Sequence, residues 1–303
     1  MHKQRLAISV VELLVVLGIV AALIALILPA VQMARATALH LECSNQLKQL
    51  GTALHHYASQ RSGRIPAIDG PHPPEGGGLF FALLPYVEHG SYYDDVKAKR
   101  RSLSSEYTMR QYLCPVDPSR ALHTSPHGNA SYSANAWVFS SASNERKPDG
   151  GLTSTLRPLH LNEVHDGLSH TIGFAEHFSH VHNTQFDWFH VSEPFTYSIY
   201  TQRRASFADY YPGTRPYDPR RDDVYPITSG NPPTSVGSIP GLTFQVRPRL
   251  DMADPRIPQT GHVSGMPVLM MDGRVVTLRR GVAPELFWGL VTPRGGETVE
   301  LPD

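Results

Sequence analysis

The sequence Glu12–Leu28, ELLVVLGIVAALIALIL, decides the architecture of this chain because it is long and apolar enough to cross a membrane. Twelve of the sixteen residues from Leu13 to Leu28 are Leu, Ile or Val. Together they favour membrane insertion by about 4–7 kcal/mol, whereas a carboxylate such as Glu12 opposes it by at most about 3.5 kcal/mol. We therefore predict that the segment spans the membrane. Because an acidic group is costly there, we also predict that Glu12 has a function.

An amphipathic helix is expected to continue beyond the apolar segment. Leu47, Leu50 and Leu54 recur at helical spacing, and polar residues fill most of the positions between them. The sequence therefore predicts one transmembrane and stem helix over residues 8–60. Pro29 lies within it and should kink or loosen the helix, because proline cannot donate the backbone hydrogen bond.

An ordinary secretory signal peptide is the alternative explanation of the apolar segment. Cleavage would then follow small residues, at Ala34-Arg35-Ala36 or at Ala36-Thr37-Ala38. The apolar run is longer than is usual for such a signal, and Glu12 at its start would weaken it. The sequence therefore favours an anchor that the mature protein keeps.

Residues 61–303 are expected to form a separate, β-rich head. The chain has 26 prolines and 24 glycines, which favour turns and short strands over further helices. The whole chain is thus predicted to be α+β, with a long N-terminal helix followed by an antiparallel head. Within the head, a Pro-rich irregular excursion is expected at about residues 210–259. The 27 basic and 27 acidic residues leave no basic stripe that would bind nucleic acid.

Short motifs in this chain resemble, in the same order, those of a large bacterial family of prepilin-type proteins of uncharacterised function. The similarity extends from about residue 5 to residue 297. The matching segments are Cys43–Gln49, Ala82–Glu88, Cys114–Pro118, Ser131–Asn135, Asp166–Thr171 with Gly173 and Glu176, and His262 followed after nine residues by Asp272-Gly273. No single motif is decisive, but their order along the chain is highly specific.

The resemblance implies processing at the N-terminus. A prepilin peptidase would cut between Ala7 and Ile8, remove the leader at residues 1–7, and leave an amine on Ile8 that is then methylated. In a filament, Glu12 of one subunit would pair with the charged N-terminus of a neighbour. The family usually has Gly and Phe at the cleavage point, so Ala7 and Ile8 depart from its pattern.

These features predict a pseudopilin-like subunit of a type II secretion or type IV pilus-like filament. Its expected partners are the prepilin peptidase, neighbouring pilin-like subunits and membrane lipid. We expect a single pass through the inner (cytoplasmic) membrane, with the N-terminus cytoplasmic and the head periplasmic. The charge bias across the span is small, but the short leader and the large C-terminal mass favour this orientation.

A singly anchored extracytoplasmic binding protein that does not polymerise is the competing interpretation. This interpretation stays open because the head is large and because Ala7 and Ile8 are unusual residues at a cleavage point. Neither interpretation predicts an enzyme, because no nucleophile elbow, phosphate-binding loop or metalloprotease motif is found in the sequence. The chemistry would belong to the processing peptidase.

The C-terminal region contains the clearest strand signal. Two β-prone runs flank Asp272-Gly273 and predict a hairpin over residues 267–279 with a type I′ turn, which requires positive φ at both central residues. His262 would then hydrogen-bond a neighbouring strand or loop. The residues of the family signature are interpreted as structural: Asp166, Gly167, His262, Asp272 and Gly273.

Cys43 and Cys114 are the two cysteines of the chain. In an oxidising compartment they could form a disulfide that closes a loop of about 70 residues, which would contribute roughly 4 kcal/mol on the chain-entropy model. Two buried free thiols are the alternative. Neither cysteine has a Cys or His close to it in the sequence, so no zinc site is expected.

The centre of the chain is rich in histidine, at positions His160, His165, His170, His177, His180, His182 and His190. A metal site could be drawn from His177 and His180 with Glu176 or Asp166, but no ligand motif supports it. We therefore predict no metal site and no cofactor. Calcium is the one alternative left open, since some pseudopilins bind it in a C-terminal loop, although no Asp-rich ligand run is found here.

Overall fold

The computed structural model describes residues 10–68, 78–101, 103, 109–122, 128–139, 159–181, 184–188, 202–208, 243–254 and 257–296. The predicted cleavage pair Ala7–Ile8 lies outside these residues, as do His182, His190 and most of the Pro-rich excursion. The chain divides into two compact units, residues 1–41 and 42–303. Helix α1, Val10–Ser59, contributes to both.

The first unit contains the apolar part of α1. Every residue from Val10 to Ala38 is exposed, including the large aliphatic side chains. Exposed aliphatic side chains are more stable in lipid than in water, because the transfer of apolar surface out of water is favourable. Pro29 lies inside the helix and does not end it. The predicted helix is therefore continuous through this position, and a kink at Pro29 stays a prediction.

The second part of α1, residues 42–59, is called the stem below. Its buried side chains lie on one stripe that includes the predicted Leu47, Leu50 and Leu54, together with Cys43 and Ala58. A leucine moved from water into such a core contributes about 1.5–3 kcal/mol. The stem is thus a core helix of the second unit, and the helical spacing of its leucines is the sequence signal for that burial.

The strands of the second unit are short, and its remaining helices are shorter than α1. The strands are β1 Tyr132–Asn135, β2 Ile172–Glu176, β3 His180–Val181, β4 Thr184–Asp187, β5 Gln202–Arg204, β6 Ser206–Phe207, β7 Gln245–Val246, β8 Gln259–Thr260, β9 Met266–Met270 and β10 Val275–Leu278. The helices are α2 Leu79–Leu83, α3 Gly90–Lys97, α4 Ala136–Phe139 and α5 Pro284–Val291, with 3₁₀ turns at Leu84–Tyr86, Arg110–Tyr112, Pro118–Leu122, Leu161–Glu163 and Leu250–Met252. A long N-terminal helix followed by this mixed head confirms the predicted α+β class.

The sheets of the head contain both strand orientations. In the described residues they are a five-stranded sheet ordered β10-β9-β2-β1-β6, a three-stranded sheet β3-β4-β5, and the pair β7-β8. Four strand pairs are antiparallel, whereas β1–β6, β4–β5 and β7–β8 are parallel. The expectation of an antiparallel head is therefore corrected. Parallel neighbours need long crossover connections, which local turn signals do not reveal.

The large sheet is covered on both faces. Phe174 and Leu269 join the core cluster that contains the stem, whereas Ile172 and Val268 join a second cluster with Phe287 of α5. Strands buried on both sides read as continuous apolar runs rather than alternating ones. This explains why β9 has the unbroken apolar sequence MPVLM.

The turn between β9 and β10 differs from the predicted type I′ turn. Gly273 has a positive φ of 86°, but Asp272 is not among the described residues with positive φ. The Gly273 N–H donates to the Met270 carbonyl at 2.9 Å, and the Met270 N–H donates to the Arg274 carbonyl at 2.8 Å. The loop therefore has three residues with the glycine in the left-handed region, which is the next most common hairpin connection.

Part of the region expected to be irregular is ordered. Strand β7 pairs in parallel with β8, with Gln245 opposite Gln259 and Val246 opposite Thr260. The structure describes a short strand within the predicted excursion, at Gln245–Val246. Residues 209–242 lie outside the described part of the chain.

Candidate assembly helix and the buried cluster of the head

The apolar part of α1 is the first candidate site. Among the described residues, α1 is the one helix that is long and apolar enough to cross a membrane. Glu12 is exposed on it, next to the exposed aliphatic residues Val11 and Leu13. A carboxylate in such surroundings requires a cationic or hydrogen-bonding partner once water is removed. The helix can therefore serve as a membrane anchor, and the Glu12 carboxylate can select a cationic or hydrogen-bonding group on a neighbouring molecule.

The stem is fixed to the C-terminal hairpin at the Asp-Gly turn. The ammonium group of Lys48 donates a hydrogen bond to the carbonyl oxygen of Gly273 at 2.6 Å. Gly51 allows the close approach, because a Cβ at this position would lie 2.9 Å from Leu269 Cδ1 and 3.3 Å from Gly273 Cα. The Asp-Gly turn is thus a docking point for the stem as well as a connection between two strands.

The other signature turn, at Asp166-Gly167, lies against the hairpin. The Asp272 N–H donates to the Leu168 carbonyl at 3.0 Å. Gly167 has a positive φ of 94°, and the two carboxylate oxygens of Asp166 accept hydrogen bonds from the N–H groups of Gly295 and Gly296 at 2.7 and 2.8 Å. Each of these contacts fixes the position of backbone groups, which is consistent with a structural role for Asp166 and Gly167.

Asp117 and Tyr132 lie in the segments Cys114–Pro118 and Ser131–Asn135, and both connect separate parts of the chain. One carboxylate oxygen of the buried Asp117 accepts from the N–H and hydroxyl of Ser119 at 2.9 and 2.5 Å. The other accepts from the Ser131 hydroxyl and the Ser179 N–H, both at 2.8 Å. The Tyr132 hydroxyl donates to Gln46 Oε1 of the stem at 2.6 Å. Sequence reasoning had assigned no role to either residue.

A buried cluster of four residues lies beside the stem, and we refer to Cys43, Cys114, Glu176 and His262 as the buried cluster. Cys43 and Cys114 form a disulfide with a Cα–Cα distance of 5.4 Å across a sequence separation of 71 residues. Each of the four residues is at most 4% exposed. One ligand-type atom from each lies within 4.8 Å of the others, and no other such group occurs in the part of the chain that the structure describes.

His262 connects the disulfide to the carboxylate. Its Nε2 lies 3.6 Å from Cys114 Sγ and 3.2 Å from Glu176 Oε1. The other oxygen of Glu176 accepts a hydrogen bond from the Thr260 hydroxyl at 2.5 Å, and the His262 N–H donates to the same hydroxyl at 3.1 Å. Thr260 therefore fixes the orientation of Glu176 and the backbone of His262 together.

Burial dominates the electrostatics of Glu176 in the buried cluster. Burial raises the pKa of Glu176, while His262 and Thr260 oppose this by stabilising the charged form, and the raised direction prevails. Thiolate, imidazole and carboxylate are the ligand types that bind zinc in proteins. The sulfur atoms of a disulfide are not thiolates. The cluster therefore offers all four ligands to a metal ion only when Cys43 and Cys114 are reduced.

The central histidines do not assemble into the site drawn from the sequence. His177 is buried, its Nδ1 donates to the Phe178 carbonyl at 2.8 Å, and its ring centroid lies 4.0 Å from that of Phe186. Glu176, one of the two carboxylates considered for that site, contacts His262. Spacing in the sequence does not reveal this contact, because His262 lies more than eighty residues after Glu176.

The long apolar N-terminal helix, followed by an α+β head, indicates a membrane-anchored, pilin-like protein. The chain belongs to the family described as "Protein of unknown function (DUF1559)", whose model matches residues 32–285. The match covers the stem and most of the head, and it begins after the apolar segment Glu12–Leu28. Comparisons with curated proteins and with solved structures found no match.

Proposed function

We propose that this protein is a pseudopilin-like subunit of a type II secretion or type IV pilus-like filament. In this proposal α1 holds the chain in the cytoplasmic membrane, and the head lies on the periplasmic side. The observation that carries the proposal is Glu12, an acidic residue on an exposed apolar helix whose C-terminal part is built into the core of the head. The chain itself has no enzyme activity in this proposal and is a substrate and building block.

Processing would supply the partner for Glu12. Cleavage by a prepilin peptidase between Ala7 and Ile8 creates a cationic amine close to the apolar helix. In the assembled filament, Glu12 of one subunit pairs with this amine on a neighbour. Because the surroundings have a low dielectric, correct pairing is strongly favoured, and an unpaired buried charge costs several kcal/mol. The pair therefore selects one register between adjacent helices.

The fixed attachment of the stem supports this role. Seven stem residues are buried in the head, and the disulfide and the Lys48–Gly273 hydrogen bond add two further attachments. The stem is therefore part of the core of the head, and the same helix α1 includes the apolar segment with Glu12.

The test is Glu12→Ala in the full-length chain, with Glu42→Ala as the matched control. Glu42 is also an exposed acidic residue of α1, but it lies beyond the apolar segment. We expect Glu12→Ala to abolish cross-linked oligomers and filaments while the amount of protein in the membrane fraction stays unchanged. Glu42→Ala should assemble normally. Normal assembly of Glu12→Ala, or a wild-type chain that never forms oligomers, would support the singly anchored binding protein instead.

A further inference from the structure

We propose that the reduced form of this protein binds one Zn²⁺ ion at the buried cluster, through Cys43, Cys114, Glu176 and His262. The ion and the disulfide would occupy the same place and exclude each other. The inference concerns the head alone and does not depend on filament formation.

The distances within the buried cluster fit a tetrahedral zinc site. With Zn–S bonds of about 2.3 Å and Zn–N and Zn–O bonds of about 2.0–2.2 Å, ligand atoms are separated by about 3.6 Å for sulfur and nitrogen and about 3.4 Å for nitrogen and oxygen. Cys114 Sγ and His262 Nε2 are 3.6 Å apart, and His262 Nε2 and Glu176 Oε1 are 3.2 Å apart. Two of the six edges of the tetrahedron are therefore already close to the required length, the other ligand atoms lie within 4.8 Å of one another, and the two sulfur atoms must separate.

Charge and burial both favour a divalent cation. Two thiolates and one carboxylate bring three negative charges into a region where each of the four residues is at most 4% exposed. Without a cation this arrangement would be very costly, and the groups would keep their protons. A Zn²⁺ ion compensates for most of the charge and binds the deprotonated forms.

The surroundings of the cluster orient its ligands. The Thr260 hydroxyl binds one oxygen of Glu176 and leaves the other directed at His262. Residues that hold metal ligands in this way normally contribute to affinity, because they fix ligand orientation before the ion arrives. The site is thus supported by a second layer of contacts in addition to its four ligands.

The change between the two states is a balanced exchange. A dithiol reductant donates two electrons and two protons to the Cys43–Cys114 bond and becomes a disulfide itself. Zn²⁺ then replaces the two thiol protons, which are released to water, and forms one bond to each sulfur. In the reverse step a disulfide oxidant accepts two electrons from the thiolates and two protons from water, becomes a dithiol, restores the Cys43–Cys114 bond and releases the ion. Cys43 and Cys114 link the stem to the head in both states.

The test uses the full-length chain in detergent micelles, either oxidised or reduced with a phosphine without oxygen. Each form is incubated with Zn²⁺, passed over a desalting column and assayed for bound metal, and Co²⁺ is used in parallel to report thiolate ligation by absorption. We expect about one tightly bound ion per reduced chain and none per oxidised chain. Cys114→Ser and Glu176→Gln should weaken Zn²⁺ binding at least about tenfold. His165→Ala, which changes an exposed histidine outside the cluster, should bind normally.

Three outcomes overturn the proposal. The first is a reduced chain that keeps its circular dichroism spectrum and binds no ion. The second is binding that is equal in the oxidised chain or unaffected by Cys114→Ser, which would assign the metal to surface histidines. The third is a reduced chain that unfolds and does not refold when Zn²⁺ is added.

Discussion

At the residue scale, Asp187 shows how the position of a side chain changes its chemistry. It ends β4 and is 1% exposed. Neither of its carboxylate oxygens has a hydrogen-bond partner among the described residues. Burial without such compensation raises its pKa from the usual 3.8 to about 8. In the sequence it lies between Phe186 and Trp188, and no recognisable motif identifies it as a buried carboxylate.

We expect Asp187→Asn to flatten the pH dependence of stability. Between about pH 4 and about pH 8 the folded state keeps a proton on Asp187 that the unfolded state has lost, so the free energy of unfolding falls as the pH rises through this range. The Asp187→Asn variant does not lose stability in this way. At pH 8 its free energy of unfolding should exceed that of the wild type by on the order of 1–3 kcal/mol, a gain that is limited because burying the new amide has its own cost. Denaturant titrations at several pH values from about 4 to about 8 measure the free energy of unfolding of both chains.

Asp251→Asn is the control for this prediction. Asp251 is exposed and pairs with Arg249 at 2.8 Å, so its removal should change the free energy of unfolding by no more than about 1 kcal/mol. An Asp187→Asn chain whose stability falls with pH as steeply as the wild type would show that Asp187 is ionised in the folded head.

At the element scale, α1 is one helix with two different surfaces. Its apolar part is exposed all round, whereas the stem buries one stripe against the sheet. The leucine spacing of the stem predicted this stripe, because side chains three and four residues apart lie on the same face of a helix. The close contact at Gly51 was not predicted, since a glycine within a helix has several explanations and the hairpin lies more than 200 residues away.

We expect Gly51→Leu to destabilise the head by about 1–3 kcal/mol, because the new side chain meets Leu269 and the backbone of Gly273. Thermal unfolding followed by circular dichroism measures the loss. Gly18→Leu is the matched control on the same helix, since a Cβ there meets no atom within 4 Å. Equal unfolding temperatures for the two variants would contradict the proposed docking of the stem on the hairpin.

At the scale of the whole molecule, the family match and the anchor provide separate information. The match to residues 32–285 identifies the stem and head, whereas the apolar segment indicates the membrane anchor. The function proposed above depends on both, because a pseudopilin needs a processed anchor as well as a positioned head.

Mass spectrometry of the chain extracted from membranes should find a mature N-terminus at methylated Ile8. Ala7→Arg places a large charged residue at the cleavage point and should leave the leader attached. A wild-type chain that keeps Met1, or one that begins after residue 34, would exclude prepilin processing, and the second result would indicate a secreted protein.

The sequence by itself determined the membrane-length helix, the helical stripe of the stem and the α+β class. These follow from hydrophobic periodicity and turn residues, which act over a few positions along the chain. Only the tertiary structure decided the three parallel strand pairs, the three-residue turn at Gly273 and the meeting of Cys43, Cys114, Glu176 and His262. The physical reason is that the order of strands in the sheet brings distant segments together, and no local preference of the residues involved specifies that order.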